Sequence, residues 1–145
     1  MQFKSLSLAA LLAVSLALPA WAHHSHGAYV AGPNATHLEG TVKEVLLINP
    51  HSWIYLEVKS DKGEAVLWAL EATGPLGIER AGVKKGDLKP GDTIKVRCNQ
   101  LRDGSNGCLL GFVTPTHGDK ARGDGVERDW DGPRAGADPR DALAK

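Results

Sequence analysis

TGPLGIERAG, residues Thr73 to Gly82, is the stretch whose reading decides the fold. Thr73-Gly74-Pro75 is a helix start, with Pro75 near the first helical position, where a missing N–H costs nothing. The residues that follow supply about two turns, and Gly82 is a C-terminal stop. On either side the periodicity is that of strands. Upstream, Leu38 to Pro50 is β-rich and ends in a turn signal. In SWIYLEVKS, Ile54, Leu56 and Val58 share one face, and Trp53, Tyr55, Glu57 and Lys59 the other. Asp61 to Gly63 makes a tight hairpin turn, and Glu64 to Leu70 is a third strand. Downstream, Leu88 to Asp92 is a turn, TIKVRCNQ a fourth strand and CLLGFVT a fifth. The order β-β-β-α-β-β predicts a mainly β fold. It is a small five-stranded OB-like antiparallel barrel with one short helix between strands three and four. Gly40 and the irregular phase around Glu44 and Val45 predict a curled first strand with a bulge. An SH3-like barrel or an incomplete β-sandwich competes, but neither needs a helix at that point.

The flanks differ from this centre. Residues 1–22 read as a cleaved signal peptide: Lys4 is the positive start, Leu6 to Leu18 the apolar run, and Ala20-Trp21-Ala22 the cleavage site. The run is shorter than the roughly 20 residues of a spanning helix, so no membrane insertion is expected after cleavage. The expected location is the periplasm. Residues 23–35 form a His-rich arm, 36–115 the barrel domain, and 116–145 a polar tail. That tail is rich in Gly, Asp, Arg and Pro, and its large apolar side chains are Val126, Trp130 and Leu143. Such a composition predicts disorder, with a docking segment at Trp130 as the alternative.

The whole chain carries 17 basic and 17 acidic residues. Losing Lys4 with the leader leaves 16 against 17, a net charge near −1, which gives no footprint for nucleic acid. Cys98 and Cys108 flank the turn-rich RDGSNG and fall in the apolar phase of their strands. In an oxidising compartment a cross-strand disulfide is the default, and closing so short a loop contributes about 2–3 kcal/mol. A metal-binding or reactive thiol pair is the alternative.

The AHHS stretch, EGTVKEVLLINPHSWIYLEV, a tryptophan in strand three, GPLGIERAG, LKPGD and LRDGSNG together resemble a family of short exported bacterial proteins of unknown function. Those proteins share a signal peptide, an AHHS start and an NPHSW motif. The resemblance covers about residues 22–115 and implies an OB-like fold, with no catalytic residues to carry over.

HHSHG, His23 to Gly27, holds three of the six histidines. Cleavage after Ala22 would give His23 a free α-amine beside its imidazole, two donors from one residue. A further imidazole would complete a three-nitrogen site suited to copper, or to zinc or nickel. His51, in NPHSW, is the leading second ligand, and His24 and His26 are alternates. A disordered arm that binds metal only adventitiously is the competing reading. His51 shares the phase of Trp53 and Tyr55; with Trp68 these define a candidate face for a ligand or partner. Packing is the competing role for all three rings. No nucleophile elbow and no phosphate loop is present, so an enzyme is not expected. Two functions therefore compete. One is a copper-binding periplasmic protein. The other is an OB-fold module that binds a protein, saccharide or small molecule on the aromatic face.

Overall fold

The computed structural model describes residues 26–30, 32, 34 and 36–132. Residues 1–22, which the sequence reads as a signal peptide, His23, His24 and the last residues of the tail, 133–145, lie outside the described residues. The element order is β1 (Thr36–Leu46), β2 (Ser52–Lys59), β3 (Ala65–Ala72), α1 (Pro75–Arg80), β4 (Thr93–Gln100), β5 (Gly107–Pro115) and β6 (Arg128–Asp129). The sheet runs β3-β2-β1-β4-β5-β6, and an added β3–β5 pairing closes it into a five-stranded OB-like barrel. That seam is parallel, with Leu70 opposite Cys108, so the barrel is mixed where a purely antiparallel one was expected. The crossover through α1 brings β4 and β5 back with β5 running alongside β3.

Side-chain alternation builds the core. Ile54, Leu56, Leu70, Ile94 and Leu110 are fully buried and meet in one cluster. β1 is long enough to serve two neighbours. Its first half pairs with β4 and its second with β2, and the two ladders overlap at Gly40 and Thr41. Gly40 permits that turn in the wall, because a Cβ there would lie 2.3 Å from the Glu57 carbonyl oxygen. The expected bulge is present, between Val42 and Glu44.

α1 forms as its sequence requires. Gly74 caps it in an extended conformation, Pro75 opens it, and Gly82 follows it at φ 85°. It buries Ile78, which joins Val83 and Leu88 in the core cluster. Cys98 and Cys108 form the disulfide, with Cα atoms 5.7 Å apart and both side chains buried.

The polar tail departs from the expectation. Residues 116–132 are packed against the barrel. A 3-10 turn at Lys120–Arg122 is capped by the Asp119 carboxylate, which accepts from the Ala121 N–H. Arg122 donates to both oxygens of Asp92, at 2.6 and 3.0 Å, and ties this loop to the turn before β4. β6 pairs with Phe112 and Val113 of β5. Trp130 is 2% exposed and lies in the core cluster with Val83, Leu88 and Val113. Its N–H donates to the Gly111 carbonyl, and its own carbonyl accepts from the Thr73 N–H. Composition averages over thirty residues. It cannot register that one large ring fills a gap in an existing core while backbone pairing satisfies the chain on both sides of it. Trp130 does dock, on its own barrel.

Candidate binding site

The loop Leu47 to His51 joins β1 to β2, and a cis peptide bond precedes Pro50. His51 ends this loop on the outward phase of β2. In the β2–β3 ladder Trp53 lies opposite Glu71, and Tyr55 opposite Ala69. Cross-strand partners share a face, so Trp53, Tyr55, Ala69 and Glu71 share the outer one. Trp68 lies opposite Leu56 and packs against the core. It therefore leaves the predicted aromatic face, which consists of Trp53 and Tyr55, both half-buried.

Glu71 organises this surface. Its Oε1 lies 2.5 Å from His51 Nδ1, and its Oε2 accepts a short hydrogen bond from the Tyr29 hydroxyl. An ionised carboxylate only accepts, so Nδ1 is the donor in this contact, and the neutral imidazole keeps its lone pair on Nε2. Among the described residues Nε2 has no partner, and the ring is 54% exposed while Glu71 is 17% exposed. Burial, and then the hydrogen bond and negative charge of Glu71, push the Tyr29 phenol well above its ordinary pKa. Tyr29 stays protonated and able to donate.

Tyr29 belongs to the amino-terminal arm, and the arm folds back onto the barrel. His26–Ala28 is a 3-10 turn, and Tyr29 forms a β-bridge with Leu101 at the start of the β4–β5 loop. The Arg102 N–H donates to the Ala28 carbonyl at 2.9 Å, and Arg102 Nε to the Tyr29 carbonyl at 2.8 Å. The Val30 N–H donates to the Gln100 carbonyl at 2.8 Å. The site thus joins three parts of the chain: the β1–β2 loop through His51, the β4–β5 loop through Tyr29, and β3 through Glu71. In OB folds these two loops and the β2–β3 face carry ligand recognition. A shallow cleft of about 100 Å³ opens here, lined by His51, Glu71, Ala72, Thr73, Leu109 and Asp131.

Among the predicted metal ligands, His51 is in the site. His26 lies on the arm three residues before Tyr29. Among the described residues no group of three His, Cys, Asp or Glu side chains could hold a metal ion. His37 lies elsewhere, opposite Arg97 on the β1–β4 ladder. His117 lies in the 116–125 loop, where its Nδ1 accepts from the Asp119 N–H. The larger groove, about 410 Å³ across β1, β4 and β5, has its charges engaged within its own wall: Arg97 with Glu127 at 2.8 Å and Lys95 with Glu39 at 3.7 Å.

Sequence reasoning missed Glu71 and Tyr29. A signal existed for Glu71. It is the one acid in the outward phase of EAVLWALEA, and the hairpin register sets it opposite Trp53. Tyr29 carried no such signal, because its partner is 42 residues away.

A search of curated proteins and a search of solved structures each return no match. A family model described as "Family of unknown function (DUF6152)" matches residues 10–110. The first four strands, α1, the NPHSW loop and both disulfide cysteines fall within the matched span, β5 runs past its end, and the chain belongs to this uncharacterised family.

Proposed function

We propose that this protein is a periplasmic OB-like binding module whose ligand engages the outer face of β2 and β3 around His51, Trp53 and Tyr55. The observation that carries this reading is the Glu71 carboxylate, which holds His51 through Nδ1 while the imidazole stays more than half exposed. A recognition surface needs side chains held by neighbours in one orientation, and rigid strands with a supporting carboxylate supply that. Trp53 and Tyr55 add flat, half-buried ring area beside it. The ligand is a protein, saccharide or small molecule that offers a hydrogen-bond donor or a metal ion to the imidazole. Export rests on the leader pattern of residues 1–22.

Amide-resolved NMR tests the reading. Isotope-labelled protein, purified from the periplasm, is titrated with fractionated periplasmic extract. Expected are shifts clustered at Tyr29, His51, Trp53, Tyr55 and Glu71, lost in His51→Ala. Shifts clustered on the β1–β4–β5 groove instead would overturn the assignment.

A further inference from the structure

We infer that the open edge of β3, at residues 65–67, pairs with the same edge of a second copy of this chain, antiparallel about a two-fold axis at Val66. The inference stands apart from the ligand reading of the His51 face.

β3 pairs with β2 along its whole length and without a bulge, but its other edge is covered only in part. The seam with β5 takes Ala69 to Glu71 and goes no further. The Ala69 N–H donates to the Asn106 carbonyl at 3.0 Å, so the backbone groups of Ala69 point away from β2. Backbone direction alternates along a strand, so those of Leu67 and Ala65 point the same way. The seam has ended there, and among the described residues no backbone hydrogen bond reaches that side of Leu67 or Ala65. Ala65 is exposed, and Leu67 is 55% exposed. Unpaired edges are commonly blunted by lysine, proline or a bulge. Here the run from residue 65 to 70 is AVLWAL, with no charge and no proline.

A second copy fits because this edge is complementary to itself. In an antiparallel ladder, alternate opposed residues exchange both of their backbone hydrogen bonds. Setting Val66 against the partner's Val66 places Ala65 opposite the partner's Leu67, and Leu67 opposite the partner's Ala65. Every open N–H and carbonyl at these positions is then satisfied. Centring the pair on Leu67 instead would call on Ala69, whose backbone the β5 seam already holds. The side chains agree with the first register. Leu67 covers the partner's Ala65 on the outer face, the two valines meet on the other, and Glu64 faces the partner's Trp68 rather than its own copy. So few residues fall well short of the roughly 20–30 a side of a stable interface, which makes the dimer weak and concentration-dependent.

Sedimentation equilibrium of the protein as purified, from about 10 μM to about 1 mM, tests this, with amide-resolved NMR over the same range. The average mass should climb toward that of a dimer, and concentration-dependent shifts should cluster at residues 64–68. Leu67→Pro removes an N–H that faces the open edge and spares the β2 ladder, so it should fold and weaken association at least about tenfold. Leu67→Lys keeps the backbone and sets two like charges diagonally across the axis, so it should weaken association as well. Circular dichroism checks that each variant is folded, and the lysine variant carries the test if the proline one is not. A chain that stays monomeric throughout overturns the inference, and so does a dimer that the folded variants leave intact. The NMR mapping with extract reads the His51 face separately, so either reading can fail alone.

Discussion

Trp130→Ala tests whether the carboxy-terminal segment is part of the barrel. The ring is 2% exposed and shares the core cluster with Val83, Leu88 and Val113. A buried aromatic removes about 150–250 Å² from water, worth about 4–6 kcal/mol at roughly 25 cal/mol per Å². Measured Trp→Ala losses in cores run about 3–5 kcal/mol, because neighbours relax partly into the space. The backbone bonds from Trp130 to Gly111 and from Thr73 to Trp130 survive the substitution, so the lower half of that range, about 3–4 kcal/mol, is the expected loss. A domain of this size has a total stability of about 5–15 kcal/mol. At about 4–8 °C per kcal/mol, the melting temperature should fall by at least about 12 °C. Urea unfolding followed by far-ultraviolet circular dichroism measures this without using the tryptophan itself as the probe. A chain ending at Pro115 should lose as much or more. A loss under about 1 kcal/mol, with the shortened chain as stable as the full one, would refute the packing and restore the polar tail as an independent appendage.

Three other outcomes follow from particular residues. The Cys98→Ala, Cys108→Ala double variant should lose about 2–3 kcal/mol through loop entropy, with a further contribution from the two buried side chains, read from urea midpoints with and without reductant. Gly40→Ala should cost about 1–3 kcal/mol, since its Cβ would sit 2.3 Å from the Glu57 carbonyl oxygen, whereas Gly63→Ala, with nothing within 4 Å but a φ of 78°, should cost about 1 kcal/mol; chemical denaturation compares the two. The two hydrogen bonds from Arg122 hold the Asp92 carboxyl below the ordinary carboxylate range, so its contribution to stability is full above the unfolded pKa and is lost as pH falls through the lower native value. Urea midpoints should therefore decline below about pH 4, and the decline should be shallower in Asp92→Asn.

What was legible in the chain and what was not divide along one physical line. The strands were legible because each buries one face, and alternation such as Ile54, Leu56 and Val58 against Trp53, Tyr55 and Glu57 is written in consecutive residues. α1 was legible because Gly74, Pro75 and Gly82 each have a local conformational preference. The disulfide was legible because phase and a short turn bring two cysteines together. His51 was legible only in its phase; that a carboxylate holds it depends on the β2–β3 register, which pairs residues 18 apart, Trp53 with Glu71. Tyr29 was not legible at all, and Trp130 only as a lone ring that could dock, with its partner unread. Each is a single ring in a polar stretch, and its partner lies at the far end of another segment: Glu71 for Tyr29, and the Gly111 backbone and the Val83, Leu88 and Val113 side chains for Trp130. Those two rings do opposite work. Trp130 is sealed into the core and adds only stability. Tyr29 is held by a hydrogen bond to a carboxylate that also serves an exposed imidazole. Burying a phenol against an acid is a poor way to stabilise an arm compared with burying an apolar ring, since both groups must be desolvated. An arm anchored in this way is placed by its chemistry: the same carboxylate that docks it also holds His51, and a purely structural strap would need neither the carboxylate nor the histidine.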